Sequence, residues 1–294
     1  MQHLGLVKLA ALMTRSRGIP EIGIGLIDGP VVTAHADLAE SHIREISGHG
    51  GASCATANSK ACLHGTFVAG ILVAGRNSPA PAICPDCTLL VRPIFAERTT
   101  GSEQMPSATP QELAAAIVDC IGAGARVINL SLALAQFSTK GEPALEDALS
   151  HAARRGAIVV AAAGNQGAVG GSVVTRHPGV IPVTACNQQG RPMTMSNLGG
   201  SIGRRGLSAP GEGITSVGAE GQPLTLGGTS VAVPFVTGAI GLLWSEFPAA
   251  GAAEIKFAVT QAYASRRASV VPPLLDAWAS YQFLLRANSR RRVA

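Results

Sequence analysis

A chain of 294 residues, 47% of them hydrophobic, is long enough to bury one large core or two smaller ones. Its net charge of +5 rests on Arg286, Arg290, Arg291 and Arg292 near the C-terminus, and no basic run elsewhere is interleaved with aromatic residues, so a nucleic-acid role is unsupported. The longest uncharged apolar stretch that reads as a helix, Val231 to Ser245, is shorter than the roughly 20 residues of a membrane span and is expected to be a buried core helix.

Leu4 to Met13 is broken by Lys8 and lacks a small-residue cleavage site, so it reads as a short amphipathic helix and not a signal peptide. Glu21 to Asp28 follows almost at once and reads as a buried parallel strand that ends on an acid, and no folded propeptide is expected before it. The expectation is a protein of the cytoplasm, with no membrane partner. His35 to Ala61 is polar and rich in Gly and Ser, hence loop with short elements. Gly65 to Ala74 is a small-residue helix with His64 at its N-terminal end, Thr88 to Phe95 a strand, and Glu97 to Pro106 a polar loop. Thr109 caps a helix entered through Pro110, with Glu112 completing a capping box, and this helix runs to about Ala123.

Arg126 to Leu132, Ala157 to Ala162 and Val180 to Ala185 read as strands, and Ser208 to Gly213 as a turn-rich strand end. Pro143 to Arg155, Ser230 to Phe247 and Ala252 to Ala264 read as helices. Strands alternating with helices at this spacing imply an α/β fold with a doubly wound, mostly parallel sheet flanked by helices. Residues 1–285 form a single domain on this reading, and 286–294 a basic, disordered tail. Ligand sites in such sheets lie beyond the strand C-termini, where Asp28, Ser131 and Asn165 fall.

Of six cysteines, Cys120 and Cys186 sit in apolar elements and are expected to be buried, unreactive thiols. Cys54, Cys62, Cys84 and Cys87 lie close together in sequence, and three readings stand: a metal site, local disulfides or free thiols. Cys84-Pro85-Asp86-Cys87 has ligand spacing, but Cys54 to Cys62 is long for a second zinc knuckle. A cytosolic location weighs against stable disulfides.

The strongest signal is chemical. Asp28, His64 and Ser230 each sit in a distinctive phrase: Gly25-Leu26-Ile27-Asp28-Gly29, Leu63-His64-Gly65-Thr66-Phe67-Val68-Ala69-Gly70 and Gly227-Gly228-Thr229-Ser230-Val231-Ala232-Val233-Pro234. A serine hydroxyl needs a base within hydrogen-bond reach, an imidazole titrates near neutral pH, and a carboxylate holds the useful tautomer. Ser230 opens a helix, whose N–H groups and dipole favour developing negative charge. Seen alone, each residue has an ordinary structural use as a cap or turn residue. The force lies in their combination, and the order Asp, His, Ser separates them from other triads.

On these phrases the chain resembles the subtilisin-like serine proteases from about Glu21 to Phe247. The resemblance implies the subtilisin-like three-layer fold. It implies that Asn165, at the end of Ala161-Ala162-Ala163-Gly164-Asn165, donates its amide to the oxyanion. It also implies that Ser131, Leu132, Ala133, Ala163 and Gly164 bind substrate, and that Ser208-Ala209-Pro210-Gly211 and Ser196-Asn197 match further family segments. No cofactor and no catalytic metal are expected, and no clustered carboxylate loop suggests calcium. Three positions depart from the pattern: Gly29-Pro30 replaces Ser/Thr-Gly, Phe67 a common histidine, and Val231 a common methionine. None removes a reacting atom. Asp28-Gly29-Pro30-Val31, Arg92-Pro93-Ile94-Phe95 and Ser208 to Ile214 also look like the proteases of cyanobactin maturation. That implies cleavage of leader or recognition segments from ribosomally made precursor peptides. The alternatives are a general intracellular degradative protease and a non-catalytic peptide-binding module.

Overall fold

A computed structural model describes residues 2–46, 54, 56, 59–95, 108–131, 141–260 and 269–293. The chain opens with two short helices, α1 (Gln2–Leu6) and α2 (Leu9–Met13), then runs β1 (Gly23–Asp28), β2 (Ile43–Glu45), α3 (Lys60–Val73), β3 (Thr88–Pro93), α4 (Pro110–Gly122), β4 (Ala125–Leu130), α5 (Pro143–Arg154) and β5 (Ile158–Ala162). It continues through α6 (Val173–Arg176), β6 (Val180–Cys186), α7 (Gly200–Arg205), β7 (Leu207–Pro210), a hairpin of β8 (Ile214–Ser216) and β9 (Leu224–Leu226), then α8 (Thr229–Glu246), α9 (Ala252–Thr260) and α10 (Ala277–Val293). Seven strands make one sheet in the order β2-β3-β1-β4-β5-β6-β7, every pair parallel. The chain leaves β1 towards β2 and β3 on one side and returns to β4 on the other, so the switch in winding direction falls at β1.

Period-two alternation divides the core. Ile24 and Leu26 of β1 and Val127 of β4 face a cluster built with α3 and α8, while Ile27, Ile128 and Leu130 face one built with α4 and α5. Asp28, Asn129 and Ser131 share the parity of the first set, which turns them towards α3 and α8.

The structure corrects several expectations. The N-terminal helix is split at Lys8, which adopts a left-handed φ of 53° and pairs with Asp276 ahead of α10. Helix α3 begins at Lys60, capped by the Ser59 hydroxyl on the Cys62 N–H, so His64 lies in its second turn and not at its end. Cys54 and Cys62 form a disulfide, whereas Cys84, Cys87, Cys120 and Cys186 are buried free thiols. The supposed tail from Arg286 is the continuation of α10 as far as Val293. Tyr281 and Leu284 bury that helix against the core, and Leu, Ala and Arg carry it onward as good helix formers. The expected loop at residues 97–106 lies outside the described residues.

Candidate active site

Asp28 ends β1 completely buried, and two glycines allow His64 to reach it. A Cβ on Gly29 would stand 1.9 Å from the Ala61 carbonyl oxygen, and one on Gly65 would stand 2.4 Å from that of Gly29. No other residue permits helix α3 to lie so close to the turn after β1. His64 Nδ1 then sits 2.7 Å from Asp28 Oδ1, which also accepts the Gly29 N–H at 2.7 Å. Asp28 Oδ2 is buried with no hydrogen-bond partner among the described residues, in keeping with Gly29-Pro30, which brings neither a hydroxyl nor a second N–H.

A carboxylate only accepts, so the proton of a neutral His64 belongs on Nδ1, and Nε2 faces Ser230 Oγ at 3.1 Å with its lone pair free. Burial pulls the imidazole down, but the charge of Asp28 and its hydrogen bond outweigh burial and hold His64 above its ordinary 6.5. Ser230 occupies the first turn of α8, entered through Gly228 at φ 127°, a left-handed value that suits glycine. The Gly228 N–H bonds the Gly211 carbonyl at 2.8 Å, so the turn after β7 carries the loop that presents Ser230.

Asn165 is exposed just beyond β5, and its side chain has a fixed orientation. Oδ1 accepts from both the backbone N–H and the hydroxyl of Thr229, each at 2.9 Å, which leaves the Nδ2 donors to be offered outward. Asn197 braces the same loop. Its Oδ1 accepts from the N–H groups of Gln166 and Ala168, and its Nδ2 donates to the Ala163 carbonyl, all at 3.1 Å. Thr229 is a supporting residue the sequence reading missed; its one signal was its place immediately before Ser230.

Asp28, His64, Ser230, Asn165, Ser131, Ala163 and Gly164 thus converge at the C-terminal edge of the sheet. Leu132 and Ala133 lie outside the described residues. The Ser131 side chain is turned inward, donating to the Ser230 carbonyl at 2.8 Å, so only its backbone is left for a substrate. The arrangement can pass a proton from a serine hydroxyl to an imidazole held by a buried carboxylate, beside an amide donor.

Residues 20–274 match the Subtilase family. The chain belongs to that family, the subtilisin-like serine endopeptidases. This subtilase is 33% identical over 186 residues to a thermostable alkaline protease of Halalkalibacterium halodurans, a match covering 63% of the chain but only 48% of that relative. It is 28% identical over 240 residues to subtilisin DY of Bacillus licheniformis, covering 80% and 81% of the two chains. Among solved structures it superposes on a point mutant of the protease domain of PatA with a TM-score of 0.83 at 28% identity, over 92% of this chain and 97% of that one. On the prenylagaramide maturation protease PagA the TM-score is 0.81 at 26% identity, over 94% and 98%.

Proposed function

We propose that this subtilase hydrolyses peptide bonds through an acyl-enzyme on Ser230, and that it cuts leader or recognition segments from ribosomally made precursor peptides. His64 Nε2 takes the Ser230 proton as Oγ attacks the scissile carbonyl, then gives it to the leaving amine. Asp28 keeps the proton of neutral His64 on Nδ1 and stabilises the imidazolium that forms. Asn165 Nδ2 and the Ser230 N–H receive the oxyanion, and water releases the acyl group. The observation that carries this reading is the continuous line of 2.7 and 3.1 Å contacts from Asp28 through His64 to Ser230.

The precursor-peptide reading is supported by near-complete overlap with PatA, the patellamide maturation protease, and PagA, the prenylagaramide maturation protease. A degradative role is the second reading, favoured by the likeness to subtilisin DY along most of both chains. A fluorophosphonate probe labels the wild type and not Ser230→Ala; equal labelling of both, or of neither, removes the serine mechanism. Rapid cleavage of a precursor peptide at one site, with an unfolded unrelated protein left largely intact, supports maturation. Comparable turnover of both substrates replaces it with degradation.

We place the reaction in the cytoplasm. Among the described residues no helix is long and apolar enough to cross a membrane. The Cys54–Cys62 disulfide pulls the other way, because such bonds persist mainly in oxidising compartments. Alkylation in intact cells decides between them: a Cys54–Cys62 pair that blocks only after reduction would move the protein out of the cytoplasm.

A further inference from the structure

Helix α8 contains Pro234 four residues after Ser230. In an uninterrupted helix the Ser230 carbonyl would accept the N–H of residue 234, but proline has none and its ring crowds that carbonyl. The backbone of Ser230 is therefore without its helical hydrogen bond, and the Ser131 hydroxyl supplies a replacement at 2.8 Å.

Ser131 does not act alone. Its Oγ accepts from Asn129 Nδ2 at 2.7 Å, and Asn129 Oδ1 accepts from Thr237 Oγ1 at 2.9 Å. Asn129 and Thr237 are 0% exposed and Ser131 4%, so little water competes for these bonds. The geometry follows from two periodicities. Residues 230 and 237 are two turns apart on one face of α8, and residues 129 and 131 are two apart on one face of the extended chain.

The polarity of the chain is forced from its acceptor-only end. The Ser230 carbonyl can only accept, so Ser131 must spend its one proton there. Ser131 must then accept from the Asn129 amide, whose oxygen is left facing Thr237, which must donate. Without the Thr237 proton, Asn129 Oδ1 is buried and unsatisfied. The amide then loses the bond that fixes its orientation, and the hold of Asn129 Nδ2 on Ser131 loosens with it.

We propose that Thr237, Asn129 and Ser131 form a buried relay that positions Ser230, with Thr237 a positioning residue that sets its direction from two helical turns away. This rests on the reading of Ser230 as the nucleophile, so Ser230→Ala is carried as the control. The test compares wild type, Thr237→Val, Thr237→Ser, Ser131→Ala and the Thr237→Val/Ser131→Ala double variant. The readouts are kcat and KM on a peptide substrate, the rate of fluorophosphonate acylation, the pH profile and Tm.

Thr237→Val is expected to lower kcat and the acylation rate about tenfold, with KM and the acid limb of the pH profile unmoved. Thr237→Ser restores both to within about twofold, and the double variant is no slower than Ser131→Ala, because both changes break one chain. Wild-type kcat in Thr237→Val with only Tm lowered would reduce Thr237 to a stability role and overturn the relay. Losses that multiply in the double variant would overturn it too. If the valine variant does not fold, Thr237→Ala takes its place under the same criteria. Labelling that survives Ser230→Ala would instead remove the nucleophile reading, and the relay with it.

Discussion

Helices α3 and α8 cover one face of the sheet, and α4 and α5 the other, and they differ in kind. Eleven of fourteen residues of α3 and fifteen of eighteen of α8 are buried, against five of thirteen in α4 and four of twelve in α5. The second pair are amphipathic surface helices, held by one apolar stripe. The first pair are buried on nearly every side, and they carry His64 and Ser230. A helix that must hold a reacting atom within tenths of an ångström of a buried acid gains from contact all round, because close-packed neighbours leave no soft direction. The consequence is that substitutions on the α3–α8 face should be read out in chemistry, and those on the α4–α5 face in stability alone.

Asp28→Asn tests the first half most severely. The carboxylate is what keeps His64 protonated on Nδ1, and an amide in its place can donate to that nitrogen and favour the wrong tautomer. A fall in kcat of about 10⁴ is expected, with the fold intact by circular dichroism. The pH profile gives the sign. In the proposed mechanism His64 works as a base only when neutral, and Asp28 holds its pKa above 6.5, so wild-type kcat/KM should be lost as pH falls through a value above 6.5. With the charge gone, burial alone remains and pulls the imidazole below its ordinary value, so the residual activity of Asp28→Asn should persist to lower pH. An acid limb unchanged between the two enzymes would separate it from His64.

On the proposed oxyanion role, Asn165→Ala should cost about 10²–10³ in kcat with little change in KM, since the amide would meet charge that develops only in the transition state. Thr229 and Asn197, which hold the loop from below, explain how an exposed asparagine can be so well oriented.

These supports also mark where sequence reading ends. The α4 start was legible because Thr109, Pro110 and Glu112 form a local signal that needs nothing from elsewhere in the fold. That Asp28, His64, Ser230 and Asn165 would come together in space was legible because each stands in its own phrase at a strand end or beside a helix. The Ser59 cap of α3 was hidden in a segment already full of serine and glycine, which shifted the expected helix start past His64. Thr229 to Asn165 and Asn197 to Ala163 join residues 64 and 34 positions apart, and no local pattern announces such pairs. Spacing alone did not decide among the cysteine pairings, and contiguous arginines made the end of α10 look like a tail when its anchor lies earlier, at Tyr281 and Leu284.

A pair of glycine substitutions sharpens the contrast between the two faces. Gly65→Ala on α3 drives a methyl group into the Gly29 and Pro30 carbonyls, at 2.4 and 2.5 Å, where only backbone can give way. It should lower stability by about 1–3 kcal/mol and kcat/KM by at least about tenfold, as His64 is pushed off Asp28. Gly122→Ala at the end of α4 meets nothing within 4 Å. It should leave activity unchanged and add up to about 1 kcal/mol of stability in urea unfolding. Equal losses in the two variants would erase the distinction.

The smallest effect tests the second half. Thr109→Ala removes the hydroxyl that accepts the Glu112 N–H at 3.2 Å, but leaves the Glu112 carboxylate on the Thr109 N–H at 2.7 Å, so half of the capping box survives. The expected cost is about 1 kcal/mol in urea unfolding, with kcat and KM unchanged, because α4 touches no reacting group. The acid dependence should follow Glu112, whose pKa is held below 4.5 by its bonds to the Thr109 N–H and hydroxyl. A depressed carboxylate stabilises the fold above its unfolded pKa and stops doing so as pH falls through the folded one. Because the Thr109 hydroxyl also bonds that carboxylate at 2.8 Å, the gap between wild type and Thr109→Ala should narrow as pH drops below about 4.5. A gap that stayed constant to low pH would mean that the hydroxyl caps the helix without help from the carboxylate, while a change in kcat would show that the α4–α5 face is coupled to the site after all.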